Sequence, residues 1–113
     1  NSVSNNVNAQ TIELIILSVP QESRKAWLNA ERKSWEPWLA AKPGFLGRDL
    51  LWSKDKEEGL LLIRWASREE WKNIPQAEVD RVQELFEISA RDGTGQSSGN
   101  PFPLRFEAEF ISQ

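Results

Sequence analysis

The sequence lacks four residue types that carry much of protein chemistry: cysteine, histidine, tyrosine and methionine. Without cysteine, no disulfide framework, thiolate nucleophile or cysteine-based zinc site is possible. Without histidine, the chain has no Ser-His-Asp triad, and it lacks the commonest metal ligand and the usual proximal haem ligand. Any acid–base chemistry therefore falls to aspartate, glutamate, lysine or water.

Long apolar runs and an excess of basic charge are also missing. The longest apolar run is shorter than the ~20 residues that span a bilayer, so we expect a soluble protein with no membrane span. Lysine and arginine number 14 against 17 acidic residues, and the net charge is −3. Because both signs are interleaved and nucleic-acid binding needs a clustered basic face, we expect no nucleic-acid partner.

The start of the chain raises a question of processing. The sequence begins at Asn1 and contains no methionine, so we expect that a preceding segment is missing. The protein would be exported if that segment is a signal peptide, and its compartment stays open. Residues 1–10 are rich in Asn and Ser and are predicted to be a flexible lead-in. Residues 11–113 suit one domain.

Alternating and helical apolar patterns predict the order β-α-β-β-α-β. Strands are expected at residues 11–20, 45–53, 60–66 and 102–111, the last of them half-buried. Helical regions are expected at 21–42 and 67–90, with a loop at 91–101. This order predicts an α+β ferredoxin-like sandwich, in which a four-stranded antiparallel sheet carries its helices on one face.

The second helical region has its own local signals. "SREE" at residues 67–70 predicts a capping box between Ser67 and Glu70. Ile74-Pro75 predicts an interruption, with Pro75 as the first residue of the next segment. The inward face of that segment is predicted to hold Val79, Val82, Leu85, Phe86 and Ser89.

The predicted sheet has an apolar face that no helix covers. Its first three strands carry apolar residues on both sides, whereas the helices lie on one side only. An uncovered apolar sheet is expected to bury itself against a second copy of the chain. The pattern therefore predicts a homodimer formed through the open face of the sheet.

The first helical region combines tryptophans with one carboxylate. Trp27, Trp35 and Trp38 fall within one apolar arc of the helical wheel, and Pro37 predicts a kink or a restart. Glu31 lies inside the same arc. Burial among indoles would raise the pKa of Glu31, as suits a general acid or base. The alternative is a structural role, either in an ion pair with Arg48 or Arg64 or with the side chain reaching solvent.

Arg64 is the second candidate for chemistry, because it interrupts the apolar run "LLLIRWA". A guanidinium there could orient an anionic or carbonyl-bearing ligand and stabilise developing negative charge. The alternative is an ion pair with an acid on a neighbouring strand, such as Asp49, Glu107 or Glu109.

Four tryptophans are candidates for the walls of a ligand cavity: Trp35, Trp38, Trp65 and Trp71. Indoles suit flat, electron-rich ligands. The alternative is that these rings only fill the core, as aromatic stripes at helical spacing often do.

Two segments, "WEPWLAAKPGFLGRDLLW" and "LLLIRWASREEWKNIP", resemble the dimeric α/β-barrel superfamily that includes the antibiotic-biosynthesis monooxygenases. More narrowly, they are similar to a small, mostly cyanobacterial family of uncharacterised proteins. The resemblance implies two sandwiches paired sheet to sheet as a dimeric α/β barrel, with a ligand held between sheet and helices. It also implies that Trp65 matches a pocket-lining tryptophan of the oxygenases. The histidine of the haem-degrading branch is absent, so haem degradation is not expected.

Two functions are therefore carried forward, and whether the protein is an enzyme is left open. The first is binding of a small, flat, apolar ligand between helices and sheet, in the manner of a cofactor-independent monooxygenase, with Glu31 and Arg64 as catalytic groups. The second is a non-enzymatic dimeric module with no small-molecule site. No carboxylate set has the spacing of a metal site, and no metal or cofactor is expected.

Overall fold

The computed structural model describes residues 10–113, so the predicted lead-in lies outside the described residues except for Gln10. The strands are β1 (Thr11–Ser18), β2 (Phe45–Ser53), β3 (Glu58–Trp65) and β4 (Leu104–Ile111). The helices are α1 (Arg24–Lys33), α2 (Trp35–Ala40), α3 (Arg68–Lys72) and α4 (Gln76–Thr94), and a 3₁₀ helix at Gln21–Ser23 precedes α1.

The four strands form one antiparallel sheet in the order β2-β3-β1-β4. Alternate residues of β3 are buried beneath the helices, namely Gly59, Leu61, Ile63 and Trp65. The helices therefore lie on one face of the sheet. The predicted ferredoxin-like α+β fold is confirmed.

Helix α1 packs against β3 at a glycine. Trp27 is buried, and a Cβ added to Gly59 would lie 2.7 Å from Cζ2 of its indole ring. Only glycine leaves room for the ring at this point. Phe86 and Phe102 belong to the same core, with ring centroids 6.2 Å apart.

The first helical region is interrupted as predicted, but the break falls at Ser34. Its backbone has φ −118° and ψ −78°, and its hydroxyl donates to the Ala30 carbonyl at 2.7 Å. Pro37 is the third residue of α2, where a backbone N–H has no intrahelical partner. In a continuous helix the ring of Pro37 would clash with the Lys33 carbonyl, so the helix restarts before it.

The start of α3 departs slightly from the predicted capping box. The Ser67 hydroxyl accepts from the Glu70 N–H at 3.1 Å, as expected. The same hydroxyl donates to Oε1 of Glu70 at 3.0 Å, so Glu70 reaches back to the side chain and not to the backbone. Pro75 is extended and immediately precedes α4, which therefore begins one residue later than predicted.

Two further corrections concern α4. The helix continues to Thr94 and ends at Gly95, whose φ is 79°, a conformation that glycine adopts without strain. The predicted loop therefore begins later than residue 91. Val82 and Phe86 are buried as predicted, but Leu85 is 53% exposed, because it points away from the stripe that packs on α1.

The last strand is shorter and more exposed than predicted. Phe102 is fully buried in the core ahead of β4, and the strand begins at Leu104. Phe106 pairs with Ile16 and Phe110 with Ile12, on the face away from the helices. The prediction of a half-buried strand is wrong for the described part of one protomer, because no residue in it covers this apolar face. Within the described residues, no helix has the length and apolar character that crossing a membrane requires.

Candidate functional site

A cavity of about 440 Å³ lies between the helices and the sheet. It forms because α4 packs against α1, whereas β4 stays exposed, so the space between α4 and the β1–β4 side of the sheet remains open. The sheet contributes Glu13, Ile15, Leu17, Arg48, Leu61, Ile63, Trp65 and Glu107. The helices and loops contribute Glu31, Trp35, Trp38, Leu39, Trp71, Lys72, Ile74, Gln76, Val79, Gln83, Phe86 and Asn100.

The structure brings all four predicted ligand-binding tryptophans, Trp35, Trp38, Trp65 and Trp71, to this cavity. Trp35 and Trp38 meet edge to face, with ring centroids 5.4 Å apart. Trp65 is buried and packs edge to face on Phe45. The four rings come from α2, β3 and α3, so they form one wall of the cavity only in the folded protein. Their part in binding stays a prediction.

Trp38 is fixed in place by the first turn of α4. Its indole N–H donates to Oε1 of Glu78 at 2.9 Å. The Lys42 ammonium binds the same oxygen and lies 4.8 Å from the centre of the Trp38 ring. The hydrogen bond from Lys42 holds the pKa of Glu78 below its usual range, and the Trp38 hydrogen bond acts in the same direction. This cluster anchors α2 to α4 beside the cavity.

Glu31 forms a buried ion pair on the cavity wall. Its Oε1 accepts from Nη1 of Arg48 at 2.6 Å, and the side chains are 1% and 5% exposed respectively. Burial raises the pKa of Glu31, and the Arg48 guanidinium opposes that rise. Glu31 therefore lines the cavity. It also forms an ion pair with Arg48, which the sequence analysis gave as the structural alternative to a catalytic role.

Arg64 does not join this group. Its neighbours Ile63 and Trp65 point towards the helices, so the alternation of β3 turns Arg64 to the open face. There its Nη2 lies 2.6 Å from Oδ2 of Asp49, and both side chains are well exposed, at 39% and 51%. The expectation that Arg64 shares a pocket with Glu31 is wrong. The alternative pairing with Asp49 is observed.

Glu13 is a cavity residue that the sequence reasoning missed. It sits on β1 opposite Ile63 and accepts the indole N–H of Trp65 on Oε1 at 3.1 Å. Burial raises the pKa of Glu13, while the Trp65 hydrogen bond and the Lys72 charge lower it. A usable signal existed in "TIELIILS", where Glu13 interrupts an apolar strand just as Arg64 does in "LLLIRWA".

The cavity combines apolar and aromatic walls with three carboxylates, of which Glu13 and Glu31 differ in their hydrogen-bond partners. Glu31 is satisfied by a guanidinium, whereas Glu13 has a neutral donor on one oxygen. Lys72, Gln76, Gln83, Asn100 and Glu107 add further polar side chains to the lining. Such a site can enclose a largely apolar molecule and exchange a proton or a hydrogen bond with it.

The fold and cavity place the chain in a class: a ferredoxin-like α+β protein with a space between helices and sheet. The sequence matches no protein-family model and no curated protein. The likeness to known proteins is structural.

Solved structures with a similar fold include several described as monooxygenases or as antibiotic-biosynthesis monooxygenases. One is the monooxygenase from the gene ActVA-Orf6 of Streptomyces coelicolor, in complex with the ligand nanaomycin D. It is 12% identical, with a TM-score of 0.64 over 100% of this chain and 95% of that chain. A second, from Bordetella bronchiseptica, is provisionally described as an antibiotic biosynthesis monooxygenase. It is 14% identical, with a TM-score of 0.59 over 93% and 96%.

A third similar structure is a dimeric ferredoxin-like protein from an uncultured marine organism. It is 10% identical, with a TM-score of 0.56 over 96% of this chain and 90% of that chain. At these identities the likeness shows the fold alone.

Proposed function

We propose that the protein binds a small, flat, apolar ligand in the cavity between helices and sheet. The observation that carries this proposal is a cavity of about 440 Å³ on whose lining Trp35, Trp38, Trp65 and Trp71 meet. Ligand sites of this kind are concave and mainly apolar, with a few polar groups that set orientation. A core built only for stability would be filled, because interiors pack to the density of organic crystals.

The alternative is a non-enzymatic dimeric module with no small-molecule site. It predicts that the four tryptophans pack against one another and leave no space. The cavity favours the ligand-binding proposal over this alternative.

An oxygenase reaction is the enzymatic form of the same proposal. In it, an electron-rich ring of the ligand would react with dioxygen, while the cavity excludes water and a carboxylate accepts a proton. Support comes from the fold shared with the Streptomyces coelicolor monooxygenase. The arginine that lines the cavity is Arg48, so in this proposal Arg48 has the charge-stabilising role that the sequence analysis gave to Arg64. The narrower likeness to a cyanobacterial family stays a prediction from the sequence motifs.

The partner in this proposal is a second copy of the chain, paired through the open face of the sheet into a dimeric α/β barrel. Apolar residues make up most of that face, among them Ile12, Ile16, Leu62, Phe106 and Phe110. The exposed Arg64–Asp49 pair lies beside them. A contiguous apolar surface of this size is typical of an association site. The dimeric ferredoxin-like protein of similar fold supports the dimer, whereas the choice of face rests on the apolar surface.

Tryptophan fluorescence provides the test of ligand binding. We expect 2-methoxynaphthalene to quench the indole fluorescence at submillimolar concentration and Trp35→Leu to weaken binding about tenfold, equivalent to about 1.4 kcal/mol. Trp52→Leu is the matched control, since Trp52 is also half-buried but lies at the far end of β2, bonded to the Val19 carbonyl. Absence of binding at millimolar probe, or an equal loss in both variants, would contradict the proposal.

A further inference from the structure

We infer that Glu13 is the proton-accepting group of the cavity, so that the site prefers a flat aromatic molecule bearing a hydroxyl over the same molecule with the hydroxyl methylated. This inference rests on the proposed binding function. It moves the acid–base role from Glu31 on α1 to a carboxylate on the sheet.

The hydrogen bonding of Glu13 leaves one oxygen for a ligand. Oε1 accepts the Trp65 indole N–H at 3.1 Å, and because an indole N–H can only donate, this bond fixes the orientation of the carboxyl group. No donor among residues 10–113 binds Oε2. The side chain lines the cavity, so Oε2 is the oxygen that a ligand hydroxyl can reach.

Glu31 is less suited to this role because its charge is already matched. Arg48 holds its Oε1 at 2.6 Å, and the pair is almost completely buried. Taking up a proton at Glu31 would leave the Arg48 guanidinium without its buried counter-ion, which is strongly unfavourable. Glu31 and Arg48 therefore form a fixed charged pair on the cavity wall.

The sheet register sets the distance between the two polar ends of the cavity. Arg48 and Glu13 both pair with Ile63, from opposite sides, so all three side chains share the helix-facing side. Two strand spacings separate the backbones of Arg48 and Glu13, about 10 Å. A flat fused-ring molecule lying on Ile63 would therefore direct its hydroxyl to Glu13 and its far edge to Arg48.

The charges around Glu13 are mixed. Lys72 of α3 lowers its pKa and Glu107 of β4 raises it, and Glu109 of β4 is its register partner. Glu109 is itself bound by Arg68 at 2.9 Å. The polar α4 side chains on the cavity, Gln76 and Gln83, are neutral.

The proton transfer conserves charge within the cavity. The O–H bond of the ligand breaks, an O–H bond forms on Oε2, and the negative charge passes from Glu13 to the ligand oxygen. Because a carboxylate accepts more strongly than a carboxylic acid, the preference for the hydroxyl should decline as acid titrates Glu13.

The experiment compares 2-naphthol with 2-methoxynaphthalene by tryptophan fluorescence and calorimetry between pH 4 and 8, using wild type, Glu13→Gln and Glu84→Gln. Glu84 is an exposed residue of α4 and serves as the matched control. In wild type we expect 2-naphthol to bind about tenfold more tightly at pH 8, with the preference falling towards pH 4. Glu13→Gln should bind both probes with a small preference that does not vary with pH.

A second variant, Trp65→Phe, removes the indole N–H but keeps a ring. Because that hydrogen bond lowers the pKa of Glu13, the midpoint of the pH profile should move upward. If wild type binds both probes equally, if Glu13→Gln keeps the pH-dependent preference, or if the midpoint stays fixed in Trp65→Phe, the role of Glu13 is wrong while the binding function stands. If neither probe binds, the binding function is wrong and this assignment falls with it.

Discussion

A buried ion pair such as Glu31–Arg48 stabilises a protein only while both partners are present. Moving two charges out of water carries a large desolvation penalty, which close contact between the charges offsets. Removing one partner leaves the other buried and uncompensated. Substitution of either Glu31 or Arg48 alone is therefore expected to destabilise the protein.

We predict that Arg48→Met lowers the free energy of unfolding by about 3–5 kcal/mol at neutral pH. The loss should be smaller at pH 5 than at pH 8. Burial raises the folded-state pKa of Glu31, and the Arg48 guanidinium is the main group that opposes this shift. In Arg48→Met the folded protein therefore keeps Glu31 protonated to higher pH, and the stability that this protonated form gives is lost as pH rises through the folded-state pKa. Urea denaturation at the two pH values measures the difference.

The control for this prediction is Arg105→Met, which alters an exposed arginine whose nearest acid, Glu58, lies 3.9 Å away. Exposed pairs contribute little, so a change within about 0.5 kcal/mol is expected. The double variant Glu31→Gln, Arg48→Met should recover part of the stability. An Arg48→Met loss that is identical at pH 5 and pH 8 would contradict the assignment.

At the scale of elements, the approach of α1 to the sheet depends on a missing side chain. Gly59 of β3 leaves the space that the Trp27 ring fills, and an added Cβ would lie 2.7 Å from Cζ2 and 2.8 Å from Cη2 of that ring. The position of α1 in turn sets where Glu31 meets Arg48. A change in the contact between Trp27 and Gly59 should therefore also alter the cavity wall at Glu31 and Arg48.

We predict that Gly59→Ala lowers the free energy of unfolding by about 1–3 kcal/mol through overpacking. Trp27→Phe removes the two indole carbons that the new methyl group would meet. In that background the same substitution should cost less, so a double-mutant cycle should show a favourable coupling between the alanine and the phenylalanine. Additive effects would mean that the penalty of Gly59→Ala arises elsewhere.

At the scale of the whole molecule, the open face of the sheet is the surface through which the proposed dimer would form. Phe106 and Phe110 are about half exposed, although they pair in register with apolar residues of β1. The strand β4 thus alternates between apolar and charged residues, and no residue among 10–113 of the same protomer covers its apolar side. The proposed dimer accounts for this surface.

We predict that Phe106→Glu converts a dimeric wild type into a monomer, because the charge would have to be desolvated between two sheets. Leu85→Glu is the matched control, since Leu85 is 53% exposed against 51% for Phe106 but lies on the outer side of α4. Sedimentation equilibrium at micromolar concentration measures both variants. A monomeric wild type, or dissociation of Leu85→Glu to the same extent, would contradict the sheet-to-sheet dimer.

The sequence by itself determined the order of strands and helices, and with it the ferredoxin-like fold, because alternation and helical periodicity follow from local geometry. The same periodicity put Trp35 and Trp38 on the inward side of their helix and identified Glu31 as a carboxylate among indoles. The restart near Pro37 is equally local, since it depends on one missing N–H and one steric clash.

Only the tertiary structure decided which charges meet. A shift of one residue along a strand turns a side chain to the other face of the sheet, so Arg48 and Glu13 face the cavity, whereas Arg64 faces the open side. Which arginine binds Glu31 depends on the packing of α1 over β2 and β3, two elements that no local pattern connects. The cavity itself arises from the space between α4 and the sheet. The distance between these elements is set by packing, and no local sequence pattern predicts it.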